Sequence, residues 1–171
     1  MKQFFIGMII GWIVLPVLVF LYLRFGYVPV AVNGPVIPFE ELLSGTAVQA
    51  RIAREAPTKA AIPPSDENLI AGAKIYRENC VECHGLSGGT ASVASKGMFP
   101  QPPQFFERKV MGNEPVGQNY WIVANGIRLT GMPGYRQALD DRQLWQVSQF
   151  VANRDKLPAA ASEVMARPAP K

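Results

Sequence analysis

Cys80-Val81-Glu82-Cys83-His84 is the stretch of this sequence that decides its fold. These five residues hold both cysteines and the single histidine of the 171-residue chain. A disulfide framework is therefore excluded, and a Ser-His-Asp or Cys-His catalytic mechanism could use only His84. All the thiol and imidazole chemistry of the protein is concentrated in this one segment.

The C-x-x-C-H spacing is typical of covalent attachment of haem c. Two thiols at this spacing can reach the two vinyl groups on one porphyrin edge, and the adjacent imidazole can bind the iron. A zinc site would need a second ligand pair, which the chain lacks. The other interpretations of the motif are a thioredoxin-like redox pair, a plain disulfide or a chance occurrence. We predict one covalent haem c, with thioethers to Cys80 and Cys83 and with His84 as the proximal iron ligand.

Amphipathic helices are predicted on both sides of the motif. Ser65 can cap a helix with acidic residues in its first turn. One face of this helix collects its apolar side chains: Leu69, Ala73 and Tyr76, followed by Cys80. Gly72 lies beside this face and permits close approach of another helix. A second stripe lies within residues 140–153: Leu144, Val147, Phe150 and Val151. Two such helices, packed across each other, predict an all-α domain.

Residues 65–157 resemble a single-haem class I cytochrome c domain. Besides the C-x-x-C-H motif, the resemblance rests on residues 126–134 (GIRLTGMPG), which are similar to an N-G-I-x-x-T-G-M-P stretch of many bacterial members. The methionine of that stretch is the distal iron ligand, which implies this role for Met132. The implied architecture is the class I cytochrome c fold, in which the N- and C-terminal helices pack across each other around one haem.

The chemistry of the loop also favours Met132 as a ligand. A thioether is a soft, neutral ligand that favours Fe(II), and the glycines and proline around Met132 form a tight loop that can hold it. Met98 and Met111 are the alternative ligands, and any methionine can also serve as core filler. The proximal histidine of this fold commonly donates to a proline carbonyl, for which Pro102 and Pro103 are candidates. Aromatic and aliphatic side chains could wall the haem or belong to the ordinary core: Phe105, Tyr120, Trp121 and Ile122.

An uncharged apolar run at residues 4–23 predicts a transmembrane helix within an anchor at residues 1–27. A cleaved signal peptide is the alternative, although the run is long and no convincing cleavage site follows it. One cation on each side leaves the orientation open. Because haem c is attached outside the cytoplasmic membrane, we expect a single-pass protein of the bacterial inner membrane with its haem domain in the periplasm.

The segments flanking the domain have a different composition. Residues 28–64 are Pro-rich and predict a linker with a possible helix at 39–55, which acts as a spacer or docks onto a partner subunit. The Ala- and Pro-rich tail at 158–171 is expected to be disordered. Residues 65–157 contain ten basic and nine acidic residues, so most of the net charge of +4 lies outside this domain. No run interleaves basic and aromatic residues, so we expect no nucleic-acid partner.

These features together predict an electron-transfer protein rather than an enzyme. With His84 and Met132 on the iron, no position is open for a substrate. The expected function is single-electron transfer between periplasmic or membrane redox partners in a respiratory or photosynthetic chain. The donor would be a dehydrogenase or quinol-oxidising complex and the acceptor an oxidase or reaction centre, with this chain either free or a complex subunit. The alternative is a haem enzyme with an open iron site, a peroxidase or small-molecule oxidoreductase.

Overall fold

The structure, a computed structural model, describes residues 2–86, 88–107 and 115–166. Every regular element within these residues is a helix. In chain order the α-helices are α1 Lys2–Arg24, α2 Glu40–Glu55, α3 Asp66–Asn79, α4 Val81–His84, α5 Val93–Lys96, α6 Val116–Asn125, α7 Asp141–Ala152 and α8 Ala159–Ala166. A 3₁₀ turn, Arg154–Lys156, lies between α7 and α8. The all-α prediction is confirmed.

The chain divides into two units, Met1–Glu41 and Leu42–Lys171. In the first unit, α1 has 23 residues and contains Pro16 without interruption of the helix. None of its residues is buried. Within the described ranges α1 is the one helix long and apolar enough to cross a membrane. A helix of this length rises about 35 Å, which exceeds the roughly 30 Å of a bilayer hydrocarbon core.

Polar caps determine where the two main helices of the second unit begin. Ser65 Oγ accepts a hydrogen bond from the Asn68 amide at 3.4 Å, which starts α3. Asp140 and Gln143 form a capping box at the start of α7. The Gln143 amide donates to the Asp140 side chain at 2.8 Å, and the Asp140 amide donates to the Gln143 side chain at 2.9 Å. These caps satisfy amides that the first helical turn leaves without partners.

The crossing of α3 and α7 is the centre of the fold. Gly72 lies so close to α7 that a Cβ on it would be 2.2 Å from the Gln146 carbonyl oxygen. Tyr76 and Phe150 are fully buried beside this crossing, with ring centroids 5.2 Å apart. Asn68 and Gln146 add a buried side-chain hydrogen bond of 3.1 Å between the two helices. The predicted close approach at Gly72 is therefore present.

The second half of the segment at residues 28–64, which precedes α3, packs onto the domain. Ile52, near the end of α2, is 1% exposed. Gly117 lies against the backbone of Pro57, and Gln149 donates to the Ile62 carbonyl at 2.7 Å. The expected helix at 39–55 corresponds to α2, but residues after Ile52 are not a free spacer. Proline limits the backbone of this segment without preventing its packing.

The expected disorder of the tail at 158–171 is wrong for residues 159–166. These residues form α8, in which Ala161, Val164 and Met165 are buried. Arg77 of α3 donates to the Val164 carbonyl at 3.0 Å. Alanine has the highest helix propensity, and its small side chain allows α8 to lie against α3. Residues 167–171 lie outside the described residues.

Replacement of Gly72 by alanine tests the helix crossing. The new methyl group would overlap the Gln146 carbonyl, so we expect the protein to lose about 1–3 kcal/mol of stability or more. Gly45→Ala in α2 is the matched control, because a Cβ on Gly45 would meet no atom within 4 Å. Helix propensity makes that change neutral or stabilising by up to about 1 kcal/mol. Urea unfolding measures the stability of both variants. Equal unfolding midpoints would contradict the close packing of α3 against α7 at Gly72.

Candidate functional site

Helices α3, α4, α6 and α7 enclose a cavity of about 280 Å³ together with the loops between them. Most of its lining side chains are apolar, and the described lining contains no Asp, Glu, Lys or Arg. The residues considered above as haem thioether links or iron ligands lie together in this lining: Cys80, Cys83, His84, Met98 and Met132. Met111, the third methionine considered, lies outside the described residues.

The C-x-x-C-H motif forms one turn of helix directly after α3. The Cys83 and His84 amides both donate to the Cys80 carbonyl, at 3.1 and 2.9 Å. This turn brings both thiols and the imidazole to the same cavity. The cysteines are not joined by a disulfide. Burial, with a smaller contribution from neighbouring Cys83, raises the pKa of Cys80 to about 12, so its thiol is protonated at neutral pH.

The His84 ring is oriented by a carbonyl on the far side of the loop. Its Nδ1 lies 2.9 Å from the carbonyl oxygen of Pro103, which leaves Nε2 as the nitrogen able to bind a metal. Burial lowers the pKa of His84, and the bond to Pro103 offsets part of this effect. The Phe105 ring stacks on the imidazole with centroids 4.6 Å apart. His84 is therefore held as a neutral imidazole in one orientation.

Met132 lies on a loop that folds back onto the end of α6. Gly126 ends the helix with φ +67°. The Ile127 amide then donates to the Met132 carbonyl at 3.1 Å, and the Tyr135 amide donates to the Val123 carbonyl at 2.9 Å. Thr130 Oγ1 accepts from the Met132 amide at 3.1 Å. Hydrogen bonds on both sides thus hold Met132 at the cavity wall.

Met98 lies against the same loop. A Cβ on Gly131 would be 2.9 Å from the Met98 sulfur, so glycine at this position leaves room for the thioether. The cavity therefore has two thioethers in its lining. Backbone hydrogen bonds brace the loop around Met132, which favours this residue over Met98 as the candidate ligand.

Three side chains brace the motif through hydrogen bonds that sequence reasoning did not predict. Tyr76 donates to the Gly85 carbonyl at 2.9 Å, and Tyr135 donates to the Asn79 carbonyl at 2.9 Å. Gln104 donates to the Cys83 carbonyl at 2.9 Å. Their partners lie on the motif or next to it, and only Tyr76, in the apolar stripe of α3, had a sequence signal.

Of the four candidate wall residues, two line the cavity and two do not. Phe105 and Ile122 belong to the lining. The Tyr120 ring stacks on Trp145 at 4.1 Å between centroids. The Trp121 indole donates to the carboxylate of Glu55, the last residue of α2, at 3.3 Å.

The donor set and the lining fit haem c. Two thiols on one helical turn can form thioethers, and an imidazole and a thioether are typical axial ligands of iron. An apolar lining suits a flat, largely apolar macrocycle. One further observation agrees, since the buried amide nitrogen of Asn119 in this lining has no hydrogen-bond partner in the described structure.

Comparison with known proteins identifies one family. Residues 67–151, about half of the chain, match the family model described as cytochrome c oxidase, cbb3-type, subunit III. The matched residues include almost all of α3 and α7, the C-x-x-C-H motif and the Met132 loop. A search of curated proteins found no match.

Replacement of Gly126 by alanine tests whether the loop positions Met132. A Cβ there would be 2.6 Å from the Gly134 nitrogen and 2.7 Å from the Met132 carbonyl oxygen, so the loop must move. In the haem-loaded protein we expect loss of the weak far-red band of Met–Fe(III) ligation, with covalent haem retained.

Gly88→Ala is the matched control for this change. Gly88 also has a positive φ, +73°, but its Cβ would meet no atom within 4 Å. Both variants carry the same backbone strain of about 1 kcal/mol, so only the contact with the loop differs. Absorption spectra of the ferric proteins measure the outcome, and a normal far-red band in Gly126→Ala would contradict it.

Proposed function

Because the chain belongs to the class I c-type cytochromes, which transfer electrons through haem, we propose that it is a membrane-tethered carrier of single electrons with one covalent haem c. The observation that carries this proposal is the shared cavity of the C-x-x-C-H motif and the Met132 loop. We assign Cys80 and Cys83 as the thioether links, His84 as the proximal iron ligand and Met132 as the distal one.

The residues of the cavity have separate roles in such a carrier. The haem, when bound, supplies the Fe(III)/Fe(II) couple. Pro103 keeps the proton of His84 on Nδ1 and so presents Nε2 as a ligand. The apolar lining limits water at the site, and the braced Met132 loop keeps a thioether in place. His84 and Met132 would both bind the iron, which would leave no position for oxygen, peroxide or a substrate.

The N-terminal helix supports a tether in the bacterial inner membrane. Helix α1 has the length and apolar surface for one crossing. Since haem c is attached outside the cytoplasm, we assign the N-terminus to the cytoplasmic side and the haem domain to the periplasm. Residues 25–41 then connect the membrane to the domain.

The proposed partners are redox proteins at the periplasmic face. The matched family is described as subunit III of cbb3-type cytochrome c oxidase, which supports a position beside a terminal oxidase in a respiratory chain. The electron donor would be a quinol-oxidising complex or a dehydrogenase. The chain acts as a fixed subunit of such an assembly or as a tethered carrier between two of them.

Replacement of Met132 by leucine tests the distal ligand and the carrier function together. We expect the variant to keep its covalent haem, to lose the far-red band and to bind carbon monoxide when reduced, because the sixth iron position opens. Its reduction potential should fall, since the thioether favours Fe(II). Absorption spectra and redox titration of the detergent-solubilised protein measure these changes.

Met98→Leu is the matched control, because it makes the same change in the same cavity. This variant should keep the far-red band and should not bind carbon monoxide. The reverse pattern would assign the ligand to Met98. A wild-type protein that lacks the band and binds carbon monoxide would instead indicate a haem enzyme with an open iron site.

Membrane fractionation of cells that express the full chain tests the tether. Haem-stained protein should stay in the membrane pellet after a carbonate wash and enter solution with detergent, because α1 would bury its apolar surface in lipid. N-terminal sequencing should find the chain uncleaved. Soluble protein that begins after residue 24 would show that the segment is a signal peptide.

A further inference from the structure

Asn119 places a hydrogen-bond donor in the wall of the haem cavity without an acceptor. The residue is 9% exposed, and its amide nitrogen has no partner within the described residues. The side chain belongs to the cavity lining, together with Ile122 and Val123 on the same face of α6. A buried donor without a partner costs free energy that an apolar side chain of similar size would avoid. An acceptor supplied by the molecule that fills the cavity would remove this cost.

The other polar side chains of the lining already have acceptors. Their hydrogen bonds run to backbone carbonyls and are donated by Tyr76, Asn79, Gln101, Thr130 and Tyr135. His84 uses its Nδ1 in the same way. Apart from the cysteine thiols, Asn119 is therefore the one side chain in the described lining whose donor group has no acceptor.

The position of Asn119 on α6 separates it from the loop that carries Met132. That loop begins at Gly126, and the Tyr135 amide at its far end donates to the Val123 carbonyl. Gly126 follows Asn119 by seven positions, which corresponds to a helical rise of about 10 Å. The backbone of Met132 thus lies at the other end of the helix, beside Gly126. This separation favours an acceptor at the edge of the macrocycle over an acceptor at the iron.

We propose that Asn119 binds haem by donating a hydrogen bond from Nδ2 to one of its carboxylates. The edge of haem c carries the thioether links and two propionate groups, and only the propionates offer strong acceptor oxygens. A carboxylate is a better acceptor than a neutral oxygen, and the described lining has no Lys or Arg to pair with it. This inference rests on the proposed function, because it requires haem in the cavity.

Resonance Raman spectra of the full-length holoprotein test the hydrogen bond. The propionate bending frequency reports hydrogen bonding to the carboxylate, so it should shift in Asn119→Leu relative to wild type. The far-red band should stay, because the variant leaves both axial ligands in place. Asn125→Leu is the matched control, since Asn125 is an exposed residue at the end of the same helix and donates to the Trp121 carbonyl. That variant should leave the frequency unchanged.

Two other outcomes would overturn the assignment. An unchanged propionate frequency in a fully haem-loaded Asn119→Leu protein removes Asn119 as the donor. A loss or shift of the far-red band without a change in the propionate frequency assigns the donor to the axial thioether. Absence of covalent haem from the wild-type protein is a different result, because it rejects the proposed function itself.

A measurement on the wild-type protein keeps the test independent of any variant. In reduced, diamagnetic protein labelled with ¹⁵N-asparagine, the Asn119 amide protons should show nuclear Overhauser contacts to a propionate methylene group. The same contacts should be absent for Asn125. Assigned propionate resonances without a contact to Asn119 would refute the hydrogen bond, even if Asn119→Leu failed to fold.

Discussion

The close approach of α3 and α7 at Gly72 is the constraint on which the rest of the structure depends. Without a side chain at this position, the Gln146 carbonyl comes within a distance that a Cβ would forbid. Helix α3 ends at the C-x-x-C-H motif, and α7 packs against α6, whose end begins the Met132 loop. The crossing therefore positions both walls of the cavity, and the rings of Tyr76 and Phe150 fill the space beside it.

The cavity combines an apolar lining with a few braced polar groups. Pro103 accepts from His84, and Gln104 and Tyr76 bond to carbonyls of the motif or next to it. Each of these bonds restrains a group that the proposed haem would use, without adding a charge near the iron. A low-polarity site with a thioether ligand would favour the reduced iron, which suits the proposed electron carrier. The proposed hydrogen bond from Asn119 would add one polar contact at the edge of the cofactor.

The flanking segments contribute to the domain more than their composition suggests. Helix α8 covers α3 with small apolar side chains, and Arg77 binds the Val164 carbonyl. On another side, Ile52 and Pro57 pack against the domain before α3 begins. Low hydrophobicity and many prolines describe how a segment behaves alone. They do not exclude docking onto a surface that the rest of the chain provides.

The sequence by itself determined the features that depend on neighbouring residues. The C-x-x-C-H motif, the capped start of α3 and the glycine at its crossing with α7 all follow from local spacing. Tertiary structure decided which distant groups meet: that Pro103 rather than Pro102 accepts from His84, that Met98 lies against Gly131, and that the amide of Asn119 is buried without a partner. The physical reason is that periodicity identifies which face of a helix is buried. Hydrogen-bond partners and buried polar groups belong to the assembled cavity, whose walls come from segments far apart in the chain.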